Sequence, residues 1–366
     1  MTSEVPAYRV WFSAEEIDEF VARTRAVLAS GALVPGANNG ELEAAFAALV
    51  GVRYATAVSS GTAALEIALR CLDLGGVGVL VPANTNFATA EAVVRAGCRP
   101  VLYDADLYPD LASIEAARTP DVAGLVVVHI GGYLAPTLPQ IAEFCAAHGI
   151  RLVEDASHAH GAAWRGRAAG SFGAAAAFSM FATKVLTTGE GGLLVTDDPG
   201  VAGLSRRYRD QGKADDGLHN VVFGSAWRMS ELHAALGVVQ LPGLPVVLER
   251  VNTIVERYAM EISHPLVAVP YDPEVRYSGH KFVVTVAAGQ RDELRDHLHA
   301  HGVRTAKGVY EVPLHRQPAL GLSAGPGYPR AERFAAAHLC LPMWKGLTDG
   351  EVDRVVDAVN RWPGRR

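Results

Sequence analysis

The chain has only four cysteines, Cys71, Cys98, Cys145 and Cys340, set far apart and with no C-x-x-C pair. That spacing excludes a disulfide framework and a thiolate metal centre, and it predicts buried free thiols. No run approaches the roughly eighteen apolar residues of a membrane span. Residues 1–8 also lack a basic region followed by an apolar stretch, so no membrane partner and a cytoplasmic location are expected. An excess of positive charge is missing too. Lys and Arg number 33 against 39 Asp and Glu, a net charge of −6, which argues against nucleic acid or an anionic surface as partner. The glycine clusters at 75–78, 131–132 and 189–192 form neither G-x-G-x-x-G nor a Walker lysine motif, so a dinucleotide enzyme is disfavoured. His129, His158 and His160 lie near Asp155 without zinc-like spacing, so a polar core or a cofactor role is expected in place of a metal.

What is present is a long, apolar, alternating chain. With 366 residues and 49% hydrophobic content it exceeds one ordinary core, so two domains are expected. Ser13 followed by Glu16 forms a capping-box pattern that opens a helix over residues 14–30. From 40 to 245 short apolar strands alternate with alanine-rich helical stretches, which predicts an α/β fold with a mostly parallel central sheet. Residues 125–130 and 150–153 read as buried strands because β-branched residues dominate them. The Leu-Pro-Gly-Leu-Pro run at 241–245 punctuates the chain, and 246–260 reads as a helix leading into a smaller α/β unit. The expected division is 1–245, a large cofactor-binding domain, and 246–366, a small C-terminal domain. Residues 321–329 read as a surface loop.

Three segments carry chemistry. Lys184 sits between Phe-Ser-Met-Phe-Ala-Thr and a glycine run, an apolar setting that desolvates the amine and favours the neutral form needed for Schiff-base chemistry. Most lysines are solvated surface charges, so its neighbours in sequence decide the reading. Asp155 ends an apolar run in Val-Glu-Asp-Ala-Ser-His-Ala-His-Gly, with His158 three residues on. Ligands of open α/β sheets bind beyond the carboxyl ends of strands, where such a carboxylate can pair with a protonated pyridine; a plain helix cap is the alternative. Ser60-Gly61-Thr62 precedes a helical apolar pattern, and a helix N-terminus suits a phosphate.

These segments, in this order, resemble the DegT/DnrJ/EryC1/StrS family of pyridoxal 5′-phosphate (PLP)-dependent sugar aminotransferases. The resemblance runs from about residue 30 to 360 and includes Gly-Glu-Gly-Gly at 189–192, Gly-Ser-Ala-Trp-Arg-Met-Ser-Glu at 224–231, Val-Pro-Leu-His at 312–315 and Leu-Pro at 341–342. It implies a fold-type-I PLP enzyme in which Lys184 binds the cofactor and shuttles the proton, Asp155 holds the pyridine nitrogen and His158 meets the 3′ oxygen. Gly61, Thr62 and Ser179 would bind the phosphate. It further implies an amino-acid donor, Glu or Gln, a keto sugar or cyclitol as acceptor, and a homodimer with shared sites. The lysine argues against the family's dehydratase branch, which has a histidine there.

Two positions depart from the family pattern. Asn86 stands where the family has an aromatic residue over the cofactor ring; either Phe87 moves in to stack or the Asn86 amide faces the ring, and alternation along an extended segment favours Asn86. Ala226 stands where an asparagine reaches the neighbouring subunit's phosphate, which leaves that contact open. Elimination or aromatisation by the same residues, a regulator that keeps the fold, and an unrelated binding module are the competing readings. Arg209, Lys213 and His219 form a polar stretch that reads either as a solvated loop or as a segment closing on substrate.

Overall fold

The computed structural model describes residues 4–306, 308–321 and 327–365. In chain order the elements are α1 (Ala14–Ser30), α2 (Ala37–Val50), β1 (Tyr54–Val58), α3 (Gly61–Cys71), β2 (Gly78–Pro82), α4 (Phe87–Arg95), β3 (Arg99–Tyr103), α5 (Leu111–Ala117), β4 (Val122–Val128), α6 (Leu138–Ala147) and β5 (Arg151–Asp155). The short β6 (Ala163–Trp164) and β7 (Arg167–Ala168) precede β8 (Ala175–Ser179), β9 (Gly192–Thr196), α7 (Pro199–Arg209), α8 (Glu231–Gln240) and α9 (Leu244–Glu261). The last elements are β10 (Val275–Arg276), β11 (Phe282–Thr285), α10 (Arg291–Ala300), α11 (Pro329–Ala337), β12 (His338–Leu341) and α12 (Asp349–Asn360).

Seven strands form the central sheet in the order β1-β9-β8-β5-β4-β2-β3. Pairings from β3 through β8 are parallel, and β9 runs antiparallel to both β8 and β1. The mostly parallel expectation therefore holds, with one reversed strand. A strand reversed on both sides leaves β1 pointing the same way as β8, so the carboxyl ends of β1, β2, β5 and β8 share one edge. The apolar runs are nearly continuous because both faces are covered: Val126, Val128 and Val153 face one core, while Leu125, Val127 and Leu152 face the other.

α1 begins at Ser13 with the capping box in place: Ser13 Oγ accepts from Glu16 N at 3.1 Å and Glu16 Oε2 accepts from Ser13 N at 2.7 Å. The strand expected over 125–130 lies at Val122–Val128 instead. His129 ends it, because Gly131 and Gly132 take φ of 66° and 92° and turn the chain. The helix expected from 246 begins at Leu244. Part of the loop expected over 321–329 lies outside the described residues. All four cysteines are buried free thiols, and burial raises each of them; Cys71, for example, is pushed up to about 12. Among the described residues no single helix is long and apolar enough to cross a membrane.

Two buried carboxylates anchor the framework around the sheet edge. Glu154, fully buried, accepts from Gly170 N (2.8 Å), Phe172 N (2.6 Å) and Gly173 N (2.8 Å) and lies 2.9 Å from His129 Nε2. Glu231 caps α2 from 190 residues away in sequence, accepting from the amides of Gly36, Asn38 and Asn39 at 2.8–2.9 Å and from both asparagine side chains. Burial works against its charged form, yet these hydrogen bonds outweigh it and hold the carboxyl below the ordinary glutamate value.

Candidate active site

The shared edge opens into a cavity of ≈ 720 Å³, mouth included. Gly61, Thr62, Asn86, Asp155, His158, Ser179 and Lys184 all line it. They arrive from the α3 and α4 starts, the ends of β5 and β8, and the turn after β8. Gly61 and Thr62 start α3 just after β1. Ser60 caps that helix, its Oγ accepting from Ala63 N at 3.1 Å, which leaves the first amides of the turn without intrahelical partners. Gly61 packs directly on Ser179 at the end of β8: a Cβ on Gly61 would come within 2.7 Å of Ser179 Cβ. Only glycine permits that approach, and the result is a small cradle of amides and hydroxyls.

Asp155 ends β5 and no helix follows, so it is not a helix cap. Its Oδ2 accepts from Thr89 Oγ1 at 2.9 Å and its Oδ1 from Ser157 N at 3.2 Å. Thr85 and Thr89 hydroxyls lie 2.9 Å apart. Since a carboxylate only accepts, Thr89 donates to Asp155 and must itself accept from Thr85. His158 is buried, and Gly131 N donates to its Nδ1 at 3.1 Å, so the ring proton sits on Nε2. Burial, with Lys184 and Lys281 acting the same way, keeps this imidazole neutral well below its ordinary pKa. His158 stacks on His280 at 4.2 Å and on Tyr310 at 5.9 Å. Burial raises the Tyr310 phenol well above the usual range, so it stays protonated.

Lys184 is half-buried on a turn held at both ends. Its own N–H donates to Phe181 O (2.9 Å), Met180 N donates to Gly191 O (2.8 Å), and Gln240 binds both backbone groups of Thr187. Burial pushes its ammonium down to about 8; Asp155 pulls against that shift and Lys281 adds to it. A neutral amine is therefore accessible near neutrality.

The two departures behave differently. Asn86 lines the cavity and Phe87 does not. Asn86 also caps α4, its Oδ1 accepting from Ala88 N at 2.9 Å, a bond no aromatic side chain could make. Ala226 is exposed on a segment that pairs with Asp210 and continues along the outer edge of β1, where Ser59 N donates to Trp227 O at 2.7 Å. Arg209 is no solvated loop residue: it is nearly buried between Glu43 and Ala57 O. Lys213 and His219, by contrast, are partly or largely exposed beside Asp210 and Asp216. Thr89, Tyr310 and Lys281 carry roles that spacing alone did not reveal. Thr85 and Thr89, four residues apart just beyond a strand end, were the only local signal. No His, Cys, Asp and Glu cluster among the described residues could hold a metal.

A half-buried lysine of lowered pKa, a strand-end carboxylate and a helix start meet in one cavity of an α/β sheet, an arrangement suited to the class of PLP-dependent aminotransferases. The chain belongs to the DegT/DnrJ/EryC1/StrS aminotransferase family, whose profile matches residues 14–360. It is 36% identical over 359 residues to the dTDP-3-amino-3,4,6-trideoxy-alpha-D-glucose transaminase of Streptomyces venezuelae, covering 96% of this chain and 93% of that one. Among solved structures it is similar to S. venezuelae DesV in complex with ketimine intermediate, with TM-score 0.92, 35% identity and both chains fully covered. It is also similar to Spr1654 of Streptococcus pneumoniae in its PLP form, with TM-score 0.87, 25% identity and 98% of each chain covered. PLP is the cofactor, and the residues present fit it: the Gly61–Ser179 cradle suits a phosphate, the Asp155 acceptor a pyridinium, and the His158 Nε2 donor a phenolate oxygen.

Proposed function

We propose that this aminotransferase moves an amino group from an amino-acid donor, Glu or Gln, to a keto group of a sugar, a nucleotide-linked sugar or a cyclitol. The relative that acts on a dTDP-linked sugar supports the acceptor class. The convergence of Lys184, Asp155 and the α3 start on one cavity supports the chemistry. PLP, when bound, supplies the electron sink that lets a proton leave the carbon bearing the amine. Lys184 would hold the cofactor through Nζ and would move that proton within the cavity; its lowered pKa suits it as a base near neutrality. Asp155, whose carboxylate accepts from Thr89 Oγ1 and Ser157 N, would hold the pyridine nitrogen. His158 Nε2–H would orient the 3′ oxygen, Gly61, Thr62 and Ser179 would bind the phosphate, and the Asn86 amide would face the ring.

The same reading treats 1–245 as the cofactor-binding part and 246–366 as the smaller domain, and it keeps the enzyme in the cytoplasm. It also makes the enzyme a homodimer. Leu218 and Phe223, 82% and 97% exposed, lie on the loop just before Ala226, and apolar side chains so bare are suited to a second subunit. The test is a two-step titration of PLP-loaded protein. L-Glutamate or L-glutamine should discharge the visible band, and one class among keto sugars, nucleotide-linked keto sugars and cyclitols should restore it. A protein that stays colourless with PLP, or a band that no amino acid discharges, overturns the reading.

A further inference from the structure

Lys184 also lines a second cleft of ≈ 590 Å³, mouth included. The walls are the N-terminal arm at 8–12, residues 279–281 before β11 and residues 343–345 after β12. Four cationic residues line it, Arg9, Lys184, Lys281 and Lys345, and no carboxylate among the described residues does. Lys345 has Glu16 at 3.6 Å. Among the described residues Arg9 and Lys281 face aromatic rings, the guanidinium carbon 5.5 Å from the Trp344 ring centre and the ammonium 5.4 Å from that of Tyr8. A ring face is a weaker counter-charge than a hydrogen-bonded carboxylate. Lys281 meanwhile acts on Lys184, His158 and His280 as a like charge. Positive groups gathered in a partly desolvated cleft without an acid are costly unless an anion arrives from outside.

We propose that this second cavity is an anion subsite, in which Lys281 and Arg9 bind the carboxylate of the amino donor or a phosphate of the acceptor. The proposal rests on the transamination reading above. Tyr8 and Trp344 form its apolar walls, and a ligand held there by its anionic end has its other end directed to Lys184. The ammonium meets such oxygens as a point charge and the guanidinium as a fork, so the pair accepts either a carboxylate or a phosphate.

The test uses PLP-loaded enzyme and inorganic pyrophosphate as an unreactive probe, read by the fluorescence of the cavity tryptophans, together with the two half-reactions. Pyrophosphate should bind in a salt-sensitive manner. Lys281→Ala and Arg9→Ala should each weaken it by about tenfold, and Lys281→Arg should restore most of the loss. A raised apparent KM for L-glutamate alone identifies the donor carboxylate as the natural ligand; a raised KM for the acceptor alone identifies its phosphate. Should Lys281→Ala fail to fold, Arg9→Ala on the exposed arm carries the test. Wild-type pyrophosphate binding and wild-type KM values for both half-reactions in the folded variants would overturn the subsite. Failure of the transamination reading would look different: no amino-acid donor would then discharge the wild-type band, whatever the enzyme's affinity for pyrophosphate.

Discussion

Glu154 and Asp155 are neighbours on β5, and the regions they face use a carboxylate in opposite ways. Below the strand end, Glu154 is fully buried and satisfied by three backbone amides and His129, so it ties the 170–173 turn to the sheet. Above it, Asp155 has two donors and still lines an open cavity beside Lys184. Strand alternation alone sends the two side chains to opposite faces. What separates their roles is saturation. A carboxylate surrounded by enough donors becomes architecture, whereas one with capacity left at a cavity wall remains available to a ligand.

Substitutions can break that contrast. The largest effect is expected at the cavity: Lys184→Ala should lose the visible band and at least about a thousandfold in transamination rate, with unfolding little changed. Glu154→Ala should behave in the reverse sense, losing about 3 kcal/mol of stability in urea unfolding, because three amides and His129 would be stranded in a dry interior. If Asp155→Ala costs as much stability as Glu154→Ala, the contrast fails; the expectation is a loss of about a hundredfold in rate with less than about 1 kcal/mol in unfolding.

A smaller effect sharpens the comparison from within the framework. The Glu231 pKa is held below 4.5 in the fold, so its contribution is fully present above the unfolded value and disappears as pH falls through the folded one. Glu231→Gln should therefore cost about 1 kcal/mol at neutral pH and flatten the acid limb of the stability curve, measured by urea melts from neutral to acid pH. The smallest effect is expected for Thr89→Val, which removes one donor from Asp155. It should lower the rate by about fivefold, with Thr89→Ser restoring it.

Much of the site was legible because its signals are local. Lys184 announces itself by an apolar turn and a glycine run, Asp155 by a strand end, and Ser60-Gly61-Thr62 by a helix start. The capping box at Ser13 and Glu16 is likewise a three-residue pattern. Asn86 lines the cavity, but its capping bond to Ala88 appeared only with the helix boundary. Lys281 and Tyr310 could not be read this way, since each reaches the site from the C-terminal third of the chain and no spacing links them to Lys184. The same holds for Glu231, a motif residue whose partners lie about 190 positions upstream. Arg209 looked solvent-facing because nothing nearby in sequence reveals Glu43 across the fold.

By itself the sequence determined the α/β class, the strand and helix rhythm, and the three local segments around Gly61, Asp155 and Lys184 as candidates for the site. Those follow from periodicity, caps and desolvation, all set by residues a few positions apart. Tertiary structure alone decided that β9 runs backwards while the carboxyl ends of the other six strands share one edge. It also decided which carboxylates are saturated, which lysine faces Lys184, and that Lys184 also lines a second, acid-free cleft. Charge balance and hydrogen-bond saturation depend on distances between groups remote in sequence, and only the folded chain sets those distances.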